Sequence, residues 1–223
     1  MVYKFLIIVC NFTIDMSNNT NNLFQLTPEY VKDVCKVLGD AFQDDPIMVF
    51  TYPDEEERKE KAQYGFYMLY NYGIKNGFAY ATSENLEGVT MWLPPDNIYI
   101  SMWTMMKNGM FYTIRKVGLK IKAMKRTMTI FNYAEDRHKK LVPYHHWYLQ
   151  NIGVKPEEQG KGYGGLLLKT MIEVVKSDGL PIYLETNTEK AMSIYQKYGF
   201  EILEHGIIPE TDVPLWCMLR KRT

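Results

Sequence analysis

Glu157-Glu158-Gln159-Gly160-Lys161-Gly162-Tyr163-Gly164-Gly165 sets four glycines into its last six positions. Without Cβ atoms the backbone there is free to take positive φ angles, and its amides can approach a ligand closely. An apolar run, Asn151-Ile152-Gly153-Val154, leads in. Leu166 to Val175 leads out, with Leu167 or Leu168, Met171 or Ile172, and Val175 recurring at helical spacing. Strand, glycine loop and helix make a phosphate-holding arrangement, because a helix N-terminus offers unpaired amides and a partial positive charge. The fold turns on which phosphate the loop is shaped for.

Two common answers fit poorly. Gly160-Lys161-Gly162-Tyr163-Gly164-Gly165 satisfies the dinucleotide pattern G-x-G-x-x-G, and Glu185, 20 residues past Gly165, stands where a ribose-binding acid would stand. Yet Pro156 to Gln159 separate the strand from the first glycine, and the 58 residues after Gly165 are too few for the rest of a doubly wound sheet. A nucleoside triphosphate loop needs Lys and then Ser or Thr after its last glycine, where this chain has Leu166 and Leu167.

The 223 residues are enough for one domain with a real core, and a composition of 46% hydrophobic and 23% charged residues is that of an ordinary globular protein. Twenty-six basic and twenty-six acidic residues cancel, so a chain built mainly to grip nucleic acid or a membrane is not expected, and electrostatic recognition must be local. Cys10, Cys35 and Cys217 are odd in number and far apart, which suggests reduced thiols and neither a disulfide framework nor a metal site. Phe5 to Cys10 has the apolar character of a signal-peptide centre but is short for one and is followed by no small-x-small cleavage site, and Met16 to Asn22 is polar. Residues 1–22 are therefore read as a disordered or non-structural extension, with a signal or an upstream start as alternatives for 1–15. No later segment approaches the roughly 20 apolar residues of a membrane span, and a cytoplasmic protein is expected.

Along the chain, Leu23 to Leu26 reads as a strand, and Thr27-Pro28 opens a helix with Val31, Val34, Cys35, Leu38 and Phe42 on one face, ending near Asp44-Asp45-Pro46. Pro53 to Glu57 opens a second helix; Phe78–Thr82 and Gly88–Leu93 read as strands. Between Tyr99 and Tyr133 a helical insertion is expected. Its apolar face would be Ile114, Val117, Ile121, Met124, Met128 and Phe131, and its solvated side Arg115, Lys116, Lys120, Lys122, Lys125 and Arg126. Met102, Met105, Met106 and Met110 read as core, or as the wall of an adaptable pocket. A strand at Ile182–Glu185, a helix over Glu189–Tyr198 and strands near Gly199–Leu203 and Val213–Leu219 complete one mixed α/β domain.

Gln159-x-x-Gly162-x-Gly164 matches the pyrophosphate signature of the GNAT superfamily of acetyl-CoA-dependent acyltransferases, and the chain resembles that superfamily well beyond it. His146-Trp147-Tyr148-Leu149-x-x-Ile152-Gly153-Val154-x-Pro156 resembles the family's splayed fourth strand, and Ala191-x-x-x-Tyr195-x-Lys197-x-Gly199-Phe200 the second half of its cofactor site. The tail, with Leu184-Glu185-Thr186 and Trp216 to Lys221, is most similar to puromycin N-acetyltransferase and its uncharacterised relatives. The resemblance implies a mostly antiparallel sheet flanked by helices, with the insertion at about 99–140 before the fourth strand and residues 23–223 as the N-acetyltransferase domain. It implies acetyl-CoA bound by Ile152, Val154, Gln159, Gly160, Lys161, Gly162, Tyr163 and Gly164, with Lys155 as a further phosphate contact. Tyr195 would protonate the leaving thiolate. Where some relatives carry a glutamate on the fourth strand, this chain has Trp147 to Asn151, which leaves Glu185 as the candidate base, with His145 or His146 as alternatives, of which at most one faces the cleft. The acceptor would be a primary amine of a small molecule; a protein amine, or a non-catalytic CoA sensor, is the alternative. A homodimer is compatible with this reading, and no metal is expected.

Overall fold

A computed structural model describes residues 23–118 and 121–222. The readings made for residues 1–22, Cys10 and Lys120 lie outside the described residues. Seven strands form one sheet, ordered β1 (Phe24–Gln25), β2 (Phe78–Ala81), β3 (Gly88–Leu93), β4 (Trp147–Val154), β5 (Ile182–Thr186), β7 (Pro214–Arg220), β6 (Glu201–Ile207). Every neighbouring pair is antiparallel except β4 with β5. A doubly wound dinucleotide fold needs a run of parallel strands, so that reading of the glycines ends here.

The helices follow from their caps. Thr27-Pro28 begins as a 3-10 turn, Pro28–Tyr30, that runs into α1 (Val31–Ala41). Asp45 Oδ1 accepts from Ile47 N at 2.9 Å and Pro46 takes the first position of α2 (Pro46–Thr51), a short helix the sequence reading passed over although its start has the same cap-proline signature. Asp54 caps α3 (Glu55–Asn76) through Glu57 N at 2.8 Å, and Glu55 to Glu57 complement the positive end of that helix.

Strand alternation divides the core between the two faces of the sheet. Tyr80, Trp92, Trp147, Leu149, Ile182, Leu184, Trp216 and Met218 point to one face, covered by α7 (Tyr163–Val175) and α8 (Glu189–Lys197). On the other face Ala79, Ala81, Val89 and Met91 meet α1 and α3. Further along that face Tyr183, Leu215, Cys217 and Leu219 meet Ile130 of α6 (Ile121–Leu141). Cys35 and Cys217 are buried thiols, and burial pushes both up to about 12, so they are packed groups rather than nucleophiles.

The insertion between β3 and β4 is helical as expected, comprising α4 (Met102–Lys107), α5 (Met110–Val117) and α6. Its orientation differs from the expectation. The buried seam of α6 is Ala123, Ile130 and His138, whereas Ile121, Met124, Met128 and Phe131 are exposed. Met102, Met105, Met106 and Met110 are not core either; no residue of α4 or α5 is buried, although Asn108 between them is. Helical spacing identifies a stripe but not the direction it faces, and here the sheet accepts the seam that carries His138.

Two glycines of α3 test how tightly that helix closes on the sheet. A Cβ at Gly73 would lie 1.8 Å from Met91 Sδ, and Met91 is fully buried; a Cβ at exposed Gly65 would meet nothing. Gly65→Ala should raise stability by roughly 0.5–1 kcal/mol through backbone entropy and helix propensity, and Gly73→Ala should lower it by about 1–3 kcal/mol through overpacking. Urea unfolding of the two variants reads the sign of each change directly.

Candidate active site

The site begins with a gap. β4 and β5 run parallel and share paired positions only at Trp147 with Ile182 and Tyr148 with Tyr183. From Leu149 onward β4 keeps β3 on one side and has no strand on the other, while β5 continues to pair with β7 through Thr186. The register of β3 against β4 also slips between Met91 and Trp92, because Asn151 and Leu149 are their respective partners and Gln150 is the extra residue. Such a bulge bends its strand, here at the point where β4 leaves β5.

At the far end of β4 the glycine loop turns into α7. Gly160 and Gly162 have φ of 81° and 92°, and a Cβ at either would meet nothing, so backbone conformation rather than crowding selects glycine there. Gly162 ends the loop as the N-cap of α7, no side chain caps it, and the first turn holds no acidic residue. The N-terminal amides of Tyr163, Gly164 and Gly165 are thus left as donors at the positive end of a 13-residue helix. Ile152 packs toward the α7 face, and Val154 Cγ2 would stand 3.5 Å from a Cβ on Gly164, so the strand end and the helix start adjoin. A Cβ on Gly165 would come within 2.6 Å of Tyr198 Oη, which brings the end of α8 against the same helix start. Gln159 Nε2 donates to Val154 O at 3.3 Å and Lys161 pairs with Glu158 at 2.9 Å, while Lys155 donates to Asn85 O at 2.6 Å.

Glu185 sits on β5 in the mouth of the gap. It faces the α6 side of the sheet, as Tyr183 does. Tyr148 Oη donates to its Oε2 at 2.6 Å and Tyr183 Oη to its Oε1 at 3.0 Å. Burial pushes the carboxyl up to about 7 even though both hydroxyls favour the charged form. Tyr148 occupies the strand on which the sequence reading found no carboxylate; its part is to hold one that comes from the neighbouring strand.

Behind Tyr183 lies a pair that the sequence reading saw only in part. His146 is fully buried and its Nε2 lies 2.6 Å from Nε2 of His138 on α6, whose ring stacks on Tyr183 with centroids 4.1 Å apart. His145 is exposed, so of the two adjacent histidines, which stand just before β4, only His146 turns inward. His146 Nδ1 is 2.6 Å from Tyr144 O. A carbonyl only accepts, so Nδ1 carries the proton; neutral His146 then has a bare Nε2, which accepts from Nε2–H of His138. Burial and the neighbouring imidazole hold His138 down at about 3, and burial lowers His146 as well. Nothing in the motif order flags His138, whose place is visible only once α6 is laid on the sheet.

Tyr195 lies on the opposite side, on α8, packed edge-on to Phe200 at 5.8 Å within the α7-face core. Burial raises its hydroxyl above the ordinary phenol range, so it is protonated at neutral pH. The structure thus brings Glu185 and the β4 edge together at the gap, sets the glycine loop at the end of that edge, and places Tyr195 across the sheet. Among the described residues no cluster of three or more His, Cys, Asp or Glu has metal-binding geometry, and no helix is long and apolar enough to cross a membrane.

Comparison with known proteins agrees with this geometry. The profile of the Acetyltransferase (GNAT) family matches residues 124–200, the span from α6 through the glycine loop to Phe200. An uncharacterised N-acetyltransferase of Schizosaccharomyces pombe, C550.08, is 29% identical over 199 residues, covering 85% of this chain and 79% of that protein. A solved structure from Corynebacterium glutamicum, described as histone acetyltransferase HPA2 and related acetyltransferase, superposes with TM-score 0.60 at 20% identity over 91% of this chain and 96% of that one. Arylalkylamine N-acetyltransferase 2 of Aedes aegypti does so with TM-score 0.57 at 12% identity, covering 89% and 97%. Residues 124–200 thus carry the acetyltransferase (GNAT) profile, and the relatives just named, which match the chain over most of its length, are acetyltransferases. The chain is an enzyme of the N-acetyltransferase kind, with the mixed, mostly antiparallel sheet of that fold.

The two titrating groups oppose each other in pH. Glu185 binds its proton more tightly folded than unfolded, so its contribution to stability is fully present below about 4.5 and is lost as pH rises through about 7. His138 binds its proton less tightly folded, so its contribution is fully present above about 6.5 and is lost as pH falls toward about 3. Comparing wild type with Glu185→Gln isolates the carboxyl: the stability of wild type relative to the variant should fall by about 2 kcal/mol between pH 4.5 and 7.5. A flat difference in denaturant titrations across that range would contradict the raised carboxyl.

Proposed function

We propose that the protein transfers an acetyl group from acetyl-CoA to a primary amine of a small molecule by direct attack in a ternary complex. The observation that carries the reading is the unpaired β4 edge, followed across a 3-10 turn at Pro156–Glu158 and the glycine loop by the uncapped N-terminus of α7. A pantetheine arm is an extended chain of amides and pairs with such an edge as a strand would, at Ile152 and Val154. Its pyrophosphate then falls at the amides from Gln159 to Gly164, with Tyr163 opening the helix and Lys161 beside the loop. Lys161 is engaged by Glu158 and Lys155 by a backbone carbonyl, so the main-chain donors carry more of the phosphate binding than either lysine. Two solved proteins of this fold have amine acceptors in their names, the arylalkylamine enzyme above and an agmatine N-acetyltransferase. That likeness favours an amine acceptor here.

In the reaction, the amine must be neutral to attack. Glu185, with a carboxyl near 7, takes its proton directly or through one water, which is the affinity a base needs at neutral pH. The amine nitrogen forms the new bond to the acetyl carbon, charge grows on the thioester oxygen near the amide of Ile152, the nitrogen gives its remaining extra proton to water, and the carbon–sulfur bond breaks. Tyr195, held protonated by burial, gives its proton to the departing CoA thiolate, and a proton then returns through solvent to the tyrosine oxygen. Holding both reactants in line across the gap supplies the entropic part of the acceleration, and no covalent enzyme intermediate is required. The reading places the enzyme in the cytoplasm, where acetyl-CoA is available.

Calorimetric titration with acetyl-CoA is the direct test of the cofactor. Binding is expected for wild type and should vanish in Gly162→Asp, which sets a carboxylate at the loop in open space; NADH binding instead of acetyl-CoA binding would refute the reading. With a turned-over amine in hand, Tyr195→Phe should lower kcat by about 10–100-fold with acetyl-CoA affinity retained. Glu185→Gln should remove the ionisation near pH 7 from the kcat/KM profile. An unchanged profile would take the base role from Glu185.

A further inference from the structure

From Asn97 to Ala134 the chain has seven basic residues, Lys107, Arg115, Lys116, Lys120, Lys122, Lys125 and Arg126, and no acidic one, in a protein whose 26 basic and 26 acidic residues cancel only over the whole chain. Three of them do more than coat a surface. Lys122, Lys125 and Arg126 on α6 line a cavity of about 210 Å³ together with Phe50 of α2, Thr129 and Glu210. Among the described residues none of the three cations is ion-paired; Arg126 rests over the Phe50 ring, 5.8 Å from its centroid. Against the three positive charges the cavity wall sets only the carboxylate of Glu210.

The place of this cavity in the fold matters as much as its charge. Thr186, the last residue of β5, pairs with Trp216, so the hairpin tip from Ile208 to Val213, which carries Glu210, projects past the end of the sheet at which β4 and β5 part. A Cβ on Gly153, at that same end of β4, would meet Leu38 and Phe42, and α2 begins four residues after Phe42. The cavity therefore stands at the mouth of the gap, on the sheet face toward which Glu185 points. Along α6, nine residues separate Thr129 from His138, a rise of roughly 14 Å. His138 stacks on the tyrosine that holds Glu185. The cavity and the proposed base are thus on the order of 10–15 Å apart.

We infer that the acceptor is an amine that also carries an anionic group, a carboxylate or a phosphate, several bonds from its nitrogen, and that Lys122, Lys125 and Arg126 receive that group at the mouth of the cleft. This rests on the acetyl-transfer reading above. A neutral amine has nothing to offer three unpaired cations, whereas an anionic tail gains from each and is drawn toward the mouth by the basic stretch between Asn97 and Ala134. The separation between cavity and Glu185 selects a tail long enough to span it, so the site measures length as well as charge.

The test compares aminooctanoate and aminoundecanoate with their neutral carboxamides, and an aminoalkyl phosphate with its alcohol, as acceptors for acetyl-CoA. Wild type should favour the anionic member by about tenfold in kcat/KM at low salt, less so as salt rises, with the longer chain favoured over the shorter. In Lys122→Gln/Lys125→Gln, both side chains being exposed, that preference should fall to about onefold, while turnover of the carboxamides and affinity for acetyl-CoA stay unchanged. Carboxylate and phosphate arms distinguish the two anions. Equal use of acids and amides, or a preference that survives the double substitution, overturns the inference alone. Acetyl-CoA bound without acetylation of either series overturns it too. A protein that binds no acetyl-CoA brings down the underlying reading as well.

Discussion

Two strands that begin as parallel neighbours and then part are the constraint on which the site depends. A parallel pair that continued would have used the β4 amides from Leu149 to Val154 in the sheet and closed the passage between the faces. Instead β5 stays with β7, β4 stays with β3 and bends at Gln150, and the sheet has a gap where its most regular region should be. Unpaired backbone in a protein interior is costly. On the proposed reading the free edge borders the cleft, and the pantetheine arm supplies the missing partner.

The gap also explains why residues on opposite faces can belong to one reaction. Glu185 and Tyr183 point to the α6 side, while Tyr195 packs with Phe200 on the α7 side. On the proposed reading the two substrates enter from different faces and meet through the opening, amine from the base side and thioester from the acid side. Burial raises both groups, but with different consequences. For a phenol the shift only strengthens the protonated form. For a carboxyl it brings the titration into the neutral range, where the two tyrosine hydroxyls limit how far it climbs.

Much of this was legible in the sequence, for identifiable reasons. Loop, strand and following helix lie close together in the chain, and positive φ at Gly160 and Gly162 leaves a signature in residue type. Glu185 was nameable because a motif surrounds it. Its partners were not, because Tyr148 and Tyr183 read as ordinary strand aromatics, and His138 reaches Tyr183 from an inserted helix with no fixed relation to the motif. The insertion showed the limit of periodicity. Ile121, Met124, Met128 and Phe131 form a correct helical stripe that faces outward, and the seam that packs is marked by a histidine rather than by the larger apolar residues. The short helix at Pro46–Thr51 was missed for a smaller reason: Asp45-Pro46 was read as the end of α1 when it was also a start.

The histidine pair makes the polarity of that seam intelligible. Two buried imidazoles sharing one proton between their Nε2 atoms hold only if both stay neutral, and the carbonyl of Tyr144 fixes which ring donates. An apolar side chain at 138 would fill the same space but would leave His146 Nε2 without a donor, which costs about 1–3 kcal/mol for a buried group. It would also remove the flat ring on which Tyr183 lies, and with it one constraint on the hydroxyl that meets Glu185 at 3.0 Å. The exposed stripe of α6 is then a consequence: the helix turns to satisfy a hydrogen bond beneath the proposed base, and its larger apolar residues are left facing water.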